Sequence, residues 1–179
     1  MSKPSNTVSL NELTLSNDGY GNLTHQGRLF NGIAYDVDPN TGLVTSLGGH
    51  WLGSLHGPDR EWFANGQLAS EEYYRLGAWH GPAREWDEAG RLRFFAYRCH
   101  GVSLWQKRWD EAGRLISEVE LDPKSERSVK VKNDMERSGG DIVDFDVRIW
   151  EFVERPWGWG QDLADLGPPS RPPRLPGNP

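Results

Sequence analysis

Two seventeen-residue segments of this 179-residue chain share one sequence pattern. LGSLHGPDREWFANGQL runs from Leu52 to Leu68, and LGAWHGPAREWDEAGRL runs from Leu76 to Leu92. Ten of the seventeen positions are identical without a gap, and they include three glycines, the histidine, the proline and the Arg-Glu-Trp triplet. A fixed period of this length indicates a repeat architecture, in which one unit cannot bury its own apolar surface and stacks on its neighbours.

The period continues in weaker form on both sides of these two units. RWDEAGRL (Arg108–Leu115) repeats EWDEAGRL (Glu85–Leu92) after a one-residue deletion, and FNGIAYDVDPNTGLV (Phe30–Val44) keeps the same plan upstream with a longer turn. NDGYGNLTHQGRL (Asn17–Leu29) is a weaker candidate for a further copy. The sequence therefore predicts three clear units, one divergent unit and a candidate fifth unit.

Short segments rich in aromatic and β-branched residues lie between the glycines, as in LASEEYYR (Leu68–Arg75) and LRFFAYR (Leu92–Arg98). They are bounded by ANGQ and EAGR, in which glycine supplies the positive φ of a tight turn. This spacing predicts strands joined as hairpins. The expected fold is all-β, an elongated antiparallel β-meander of stacked hairpin repeats with a period of about 24 residues. The glycines predicted to occupy turns are Gly53, Gly57, Gly66, Gly77, Gly81, Gly90 and Gly113.

Composition agrees with this fold class and restricts the partners. Nine Trp, 21 Gly and 12 Pro favour β-structure with many turns over long helices. The net charge of −6 and the pI near 5.4 argue against binding to nucleic acid or to an anionic membrane and suit a basic partner. The single cysteine, Cys99, excludes an intrachain disulfide. No signal peptide or apolar segment of membrane-spanning length is recognisable, so we expect a cytoplasmic protein.

The chain divides by composition into four parts. Residues 1–26 form an N-terminal segment that is a candidate degenerate repeat, and residues 27–121 hold the hairpin repeats. Residues 122–156 begin with a polar connection, either a loop or a short helix around Lys132–Arg137, and end in an amphipathic strand (Asp141–Pro156) expected to cap the sheet. Residues 157–179, with the preceding Pro156, carry seven of the twelve prolines. We expect an extended tail there, either a polyproline ligand or a segment docked along the sheet.

The repeated pattern Gly-x-x-His-Gly-x-x-Arg-Glu-Trp-x-x-x-Gly-x-Leu resembles the variant MORN repeat of bacteria. Chains of such repeats, of about this length and without other domains, resemble a bacterial antitoxin or immunity-protein family. The resemblance covers residues 27–121 and implies an elongated, twisted antiparallel sheet built from consecutive hairpins. The third clear unit departs from the pattern, because Leu104-Trp105-Gln106 replaces His80-Gly81-Pro82. The resemblance implies a distorted hairpin there.

Tryptophans and charged residues recur at fixed strand positions and define the candidate binding residues. Trp62, Trp86 and Trp109 are predicted to stack as a ladder across hairpins, which forms either the core or an exposed recognition surface. The Arg-Glu pairs that precede Trp62 and Trp86 form either cross-strand ion pairs or a charged binding stripe. The predicted partner-binding residues are Glu61, Trp62, Tyr74, Trp79, Glu85, Trp86, Trp105, Trp109, Asp144 and Asp146.

His56 and His80 recur at one position of the repeat and have two interpretations. They either hydrogen-bond the backbone at turns, or they lie close enough in adjacent units to bind a metal ion. No carboxylate or cysteine completes a ligand set at a recognisable spacing, so we predict no metal and no cofactor. Asp144 and Asp146 share a strand face, and they form either an acidic patch for a basic partner or a metal site.

The sequence carries no recognisable catalytic motif, and Cys99-His100 is a bare dipeptide, so we expect a non-catalytic protein. The resemblance implies an antitoxin that packs an aromatic face with an acidic rim onto its cognate toxin and occludes it. The acidic charge would suit a basic, nuclease-like toxin. The alternative is a structural or adaptor scaffold for protein–protein interaction or self-assembly. Direct contact with nucleic acid or membrane is not expected, and the oligomeric state is left open.

Overall fold

The computed structural model describes residues 6–17, 19–122 and 124–137. Its elements in chain order are β1 (Thr7–Ser9), a 3-10 helix (Leu10–Glu12), β2 (Thr14–Leu15), β3 (Leu23–His25), β4 (Arg28–Leu29), β5 (Gly32–Val37), β6 (Val44–Trp51), β7 (Ser54–Trp62), β8 (Leu68–Arg75), β9 (Ala78–Trp79), β10 (Gly81–Trp86), β11 (Leu92–Cys99), β12 (Val102–Trp109), β13 (Leu115–Glu120) and α1 (Glu126–Arg137). The described chain is therefore mostly β, as the sequence predicted.

Ten strands form one sheet in the order β1-β5-β6-β7-β8-β10-β11-β12-β13, with β9 paired to β8. Every pairing from β5 to β13 is antiparallel. Strand β1 runs parallel to β5, so the sheet is mixed and the prediction of a wholly antiparallel sheet is wrong at this edge. The chain between β1 and β5 is long enough for the crossover that a parallel pair requires. Strands β2, β3 and β4 form a second, three-stranded antiparallel sheet.

Three two-residue turns join strands of the main sheet and recur at the period of the repeat. They are Leu52-Gly53, Leu76-Gly77 and His100-Gly101, and both residues of each turn have positive φ. Positive φ at both positions defines the type I′ hairpin turn, whose twist matches that of the flanking strands. The first residue of each turn is not glycine and still adopts positive φ, so only the second position follows the glycine preference.

Gly57 and Gly81 do not lie in turns, contrary to the prediction. Gly57 is inside β7, and Gly81 is the first residue of β10. Both have positive φ, +90° and +119° respectively. A Cβ atom on Gly81 would lie 3.0 Å from the Cβ of Tyr73 on the neighbouring strand. Positive φ therefore favours glycine at both positions, and the close approach of the neighbouring strand also requires it at Gly81.

The largest apolar cluster lies on the first half of the main sheet. Its buried members are Ile33, Val44, Leu47, Trp62, Leu68 and Trp86. A second cluster joins Val8, Phe30 and Ala34 near β1, and a third joins Ala83, Phe94 and Ala96 on β10 and β11. Among the described residues, no helix is both long and apolar enough to cross a membrane.

Helix α1 occupies the polar connection, where either a loop or a short helix around Lys132–Arg137 was expected. It begins earlier, at Glu126, because Ser125 accepts a hydrogen bond from the backbone N–H of Ser128 at 3.2 Å and satisfies the free end of the helix. The predicted capping strand (Asp141–Pro156) and the tail (residues 157–179) lie outside the described residues.

Candidate protein-binding surface

Strand β8 carries two neighbouring glutamates whose side chains point to opposite faces of the sheet, because side chains alternate along a strand. Glu71 lies opposite Arg60 of β7 and Arg84 of β10, while Glu72 lies opposite Asp59. Directly opposite residues share a face. We call the two sides the Glu71 face and the Glu72 face.

The Glu71 face holds a buried ion triad. Arg60 Nε donates to Glu71 Oε1 at 2.9 Å, and an Arg84 guanidinium nitrogen donates to Glu71 Oε2 at 2.8 Å. Glu71 is only 4% exposed. Burial, together with the charge of Glu71, raises the pKa of the nearby Tyr73 hydroxyl to about 12. The two arginines share one carboxylate and all three side chains are largely buried, so the triad offers little to a partner.

Trp62 and Trp86 belong to the core. They are 9% and 5% exposed and pack with Leu47, the residue opposite Arg60. Trp109 is half-buried. Of the two interpretations of the predicted tryptophan ladder, the structure favours the core for Trp62 and Trp86, because their rings are covered by the strands of the first half of the sheet.

The Glu72 face carries an exposed aromatic patch organised around one carboxylate. Glu72 accepts hydrogen bonds from Arg98 at 2.6 Å, from the Tyr74 hydroxyl at 2.6 Å and from Trp79 Nε1 at 3.2 Å. Trp79 Nε1 also lies 3.0 Å from the Tyr74 oxygen. The Arg98 guanidinium carbon lies 4.4 Å from the centre of the Trp79 ring, in cation–π geometry. We call Glu61, Glu72, Tyr74, Trp79 and Arg98 the Trp79 surface.

The electrostatics of this surface fix its protonation states. Burial alone would raise the pKa of Glu72, but the hydrogen bonds from Tyr74 and Arg98 outweigh it and leave that pKa lowered. Burial and the hydrogen bond to Glu72 raise the pKa of Tyr74. At neutral pH the carboxylate is therefore ionised and the phenol keeps its proton. Trp79 remains 43% exposed although its ring is held on two sides.

Asp59 lies on the same face, directly opposite Glu72. Burial, followed by the charges of Glu61 and Glu72, raises the pKa of Asp59 to about 6. Glu61 is exposed and extends the negative charge toward solvent. The Trp79 surface is thus bordered on one side by carboxylates.

Arginine–aromatic stacking continues along β11 and β12. The Arg108 guanidinium carbon lies 4.4 Å from the centre of the Phe94 ring, and that of Arg98 lies 5.7 Å from the same ring. Phe94 is the Cα partner of both Glu85 and Arg108. The Glu72 face therefore combines aromatic rings, arginines and carboxylates across the six strands from β7 to β12.

The structure brings together only some of the predicted binding residues. Glu61, Tyr74 and Trp79 lie on or beside one patch, and Glu85 lies on the same face on β10, the strand that pairs with β8. Trp105 lies on the opposite face, where Phe95 contacts its ring edge-on with 5.2 Å between ring centres and Glu118 accepts its Nε1–H at 3.2 Å. Asp144 and Asp146 lie outside the described residues.

Sequence reasoning missed Asp59, Glu72 and Arg98. One pattern could have indicated them: these positions differ between otherwise matching units. Tyr74 aligns with Arg98 in the register of the repeat, and the residue that aligns with Trp79 is Leu55. Positions that vary within a repeat are free of the demands of the shared fold.

The repeated histidines bind backbone groups of the next unit. His56 Nδ1 accepts from the N–H of Leu76 at 3.4 Å, and His80 Nδ1 accepts from the N–H of His100 at 3.5 Å. The Asn31 side chain does the same for Leu52 at 2.7 Å. We call Asn31, His56 and His80 the turn acceptors. Each connects one unit to the turn that follows it 20 or 21 residues later in the chain.

No protein family, curated protein or solved structure shows a significant match to this chain. The fold and the surface together define a β-sheet protein with a buried ion triad on one face and an exposed, charge-paired aromatic patch on the other. Of these two features, the exposed aromatic patch is the candidate binding site.

Proposed function

We propose that this chain is a non-catalytic protein-binding module that neutralises a bacterial toxin by binding and occluding it. The observation that carries the proposal is Trp79, which is 43% exposed while Glu72, Tyr74 and Arg98 hold its ring. Trp, Tyr and Arg are the residues that dominate protein–protein binding energy. A ring that is ordered before binding loses little conformational entropy when a partner covers it.

The scaffold we propose for this surface is an elongated stack of hairpin repeats similar to the bacterial MORN variant. Three type I′ turns at the period of the repeat support it, as do the three turn acceptors that connect consecutive units. The neutralising role rests on the resemblance of such repeat chains to antitoxins and immunity proteins. A stack of this kind presents one broad face, which suits occlusion of a partner's active site.

Charge supports the choice of a basic partner. The chain carries a net charge of −6, and Glu61 and Glu85 lie on the same face as Trp79. Complementary charge accelerates association and contributes to selectivity more than to affinity. A basic, nuclease-like toxin fits this arrangement. In this proposal Trp79 anchors the complex, and the carboxylates steer the encounter.

If a neighbouring gene encodes a toxin-domain protein, the test is co-expression of that protein with the chain. We expect the wild-type chain to restore growth and the Trp79→Ala variant to bind the toxin about 30-fold more weakly, as expected for an aromatic anchor worth about 2 kcal/mol. Trp51→Ala is the matched control, because Trp51 is also 43% exposed. If the two variants rescue growth equally and bind with equal affinity, Trp79 is not part of the interface. If the wild-type chain does not restore growth, the proposed neutralisation is refuted.

A structural role through self-assembly is the second candidate, and strand β13 favours it. Within the described residues β13 pairs only with β12, and its Leu115, Ile116 and Val119 side chains are exposed. An exposed apolar edge is a template for pairing with another chain. If this role holds, analytical ultracentrifugation shows concentration-dependent oligomers of the wild type, and Ile116→Lys abolishes them without changing toxin rescue.

A further inference from the structure

Three side chains with metal-binding atoms converge at the turn between β11 and β12. His80, Cys99 and His100 each offer one ligand atom, and these atoms all lie within 4.8 Å of one another. His80 Nδ1 lies 3.9 Å from Cys99 Sγ, and the two imidazole rings are nearly perpendicular with 5.0 Å between their centres. In tetrahedral zinc sites the ligand atoms are about 3.3 to 3.6 Å apart, given the usual Zn–N and Zn–S bond lengths. Small side-chain movements would therefore bring the cluster to coordinating distance, and a metal ion on His80 Nδ1 would replace the 3.5 Å hydrogen bond that this atom accepts from the His100 N–H.

The preceding units show that the fold does not require these three residues. The positions equivalent to His80, Cys99 and His100 hold His56, Arg75 and Leu76 in the preceding unit, and Asn31, Trp51 and Leu52 in the unit before that. The three turns have nearly the same geometry, with φ of 51°, 49° and 48° at their first residue. A turn of this geometry therefore forms with a turn acceptor alone, without a thiol or a second imidazole. Among these three turns, only the one at His100 has a thiol and a second imidazole beside its turn acceptor.

We propose that His80, Cys99 and His100 bind a Zn²⁺ ion. One thiolate and two imidazoles form a ligand set that suits zinc in both charge and softness. His80 is 2% exposed and Cys99 is fully buried, while His100 is half-buried and provides the access. The cluster is therefore buried on the side of His80 and Cys99 and reaches solvent on the side of His100, so that an ion could enter there.

The three side chains leave the fourth position of a tetrahedral site to a water molecule. Because Trp79 directly precedes His80, the ion would also fix the backbone that presents the Trp79 surface.

The experiment titrates metal into the full-length chain after chelator treatment, in a reductant that does not bind metal. Co²⁺ serves as the spectroscopic probe, and Zn²⁺ affinity is measured by competition with a coloured chelator. We expect one Co²⁺ per chain, a thiolate-to-cobalt charge-transfer band, the visible bands of tetrahedral cobalt, and full displacement by Zn²⁺. Zn²⁺ should also raise the melting temperature of the wild-type chain, since a ligand that binds the folded state stabilises it.

The variants are chosen from the chain's own repeats so that the turn is kept. His100→Leu reproduces Leu76, His80→Asn reproduces the acceptor Asn31, and Cys99→Ser removes the thiol. Each should weaken Zn²⁺ binding by about 100-fold or more, since loss of even an outer-shell partner costs up to that amount. His56→Asn is the control and should leave the affinity unchanged. Circular dichroism of each metal-free variant verifies the fold.

Two results would overturn the proposal. One is a cobalt spectrum of the wild-type chain without the charge-transfer band, because sulfur would then not be a ligand. The other is a Zn²⁺ affinity of folded His100→Leu equal to that of the wild type. Neither outcome depends on toxin binding, so the zinc site and the proposed neutralising function stand or fall separately.

Discussion

Glu71 and Glu72 are adjacent in β8, yet their carboxylates belong to separate networks on opposite faces of the sheet. Glu71 accepts from Arg60 at 2.9 Å and from Arg84 at 2.8 Å. Glu72 accepts from Arg98 at 2.6 Å beside the exposed Trp79 ring. Two neighbouring residues of one type thus belong to different surroundings, one in the buried triad and the other at the candidate binding surface.

Glu71→Gln should destabilise the fold strongly. Removal of the carboxylate between two largely buried guanidinium groups deprives them of their shared counter-charge, and breaking a buried ion pair in this way costs about 3–5 kcal/mol in the free energy of unfolding. Glu72→Gln is the matched control and should cost about 1 kcal/mol, because the Glu72 side chain is 22% exposed against 5% for Glu71 and has one arginine partner instead of two. Urea unfolding of both variants measures the difference. Equal losses would show that the triad does not contribute to stability beyond an ordinary ion pair.

Asp59→Asn should stabilise the protein at neutral and alkaline pH. Burial and the charges of Glu61 and Glu72 raise the pKa of Asp59 from 3.8 to about 6. A carboxyl group with a raised pKa contributes stability that is fully present below its unfolded pKa and is lost as the pH rises through about 6. The variant should therefore exceed the wild type by about 1–3 kcal/mol at about pH 8, and by much less at about pH 4.

Urea unfolding at the two pH values tests this, with Asp110→Asn as the control of opposite sign. The backbone hydrogen bond from Arg114 is the main cause that lowers the pKa of Asp110, so that contribution is present at high pH and lost on acidification. Asp110→Asn should therefore destabilise more at alkaline than at acidic pH. A pH-independent difference between Asp59→Asn and the wild type would refute the raised pKa.

Gly53→Ala should be more harmful than Gly101→Ala, although both glycines have almost the same φ, +79° and +78°. Alanine in the left-handed region costs about 1–2 kcal/mol at either position. At Gly53 the added Cβ would also lie 2.5 Å from the Leu23 carbonyl oxygen, whereas at Gly101 nothing lies within 4 Å. We expect a further loss of about 1–3 kcal/mol from overpacking at Gly53, measurable by thermal unfolding. Equal decreases in the melting temperature of Gly53→Ala and Gly101→Ala would mean that β3 moves away from this turn without a cost in stability.

His56→Ala should weaken the Leu76 turn locally. The variant removes the acceptor of the Leu76 N–H, a hydrogen bond worth about 0.5–1.5 kcal/mol. Amide hydrogen exchange at Leu76 should accelerate by roughly tenfold, while exchange in the core strands changes little. His56→Asn restores an acceptor of the kind that Asn31 provides to Leu52, and its exchange rate should match the wild type. Unchanged exchange in His56→Ala would show that solvent replaces the histidine at no cost.

Internal periodicity was sufficient to predict a mostly β chain. It also placed Gly53 and Gly77 in turns, because tight turns between strands require positive φ at such positions. It misassigned Gly57 and Gly81, since a glycine with positive φ inside a strand has the same sequence pattern as one in a turn. The parallel pairing of β1 with β5 was not predictable, because a three-residue strand has no periodicity that specifies a distant partner.

The candidate surface was only partly accessible to the same reasoning. Trp79 and Tyr74 were selected as aromatic residues of the repeat region, but their link to Glu72 and Arg98 depends on strand register and on bulges that sequence spacing does not specify. The cluster of His80, Cys99 and His100 was missed for a similar reason. Its first member is far in sequence from the other two, and only the pairing of β10 with β11 brings them together.

The turn acceptors all lie on the N-terminal side of the turns that they bind. Each acceptor precedes, by 20 or 21 residues, the backbone donor that it binds. A chain shortened from its C-terminus would therefore lose its last turn while the earlier turns keep their acceptors.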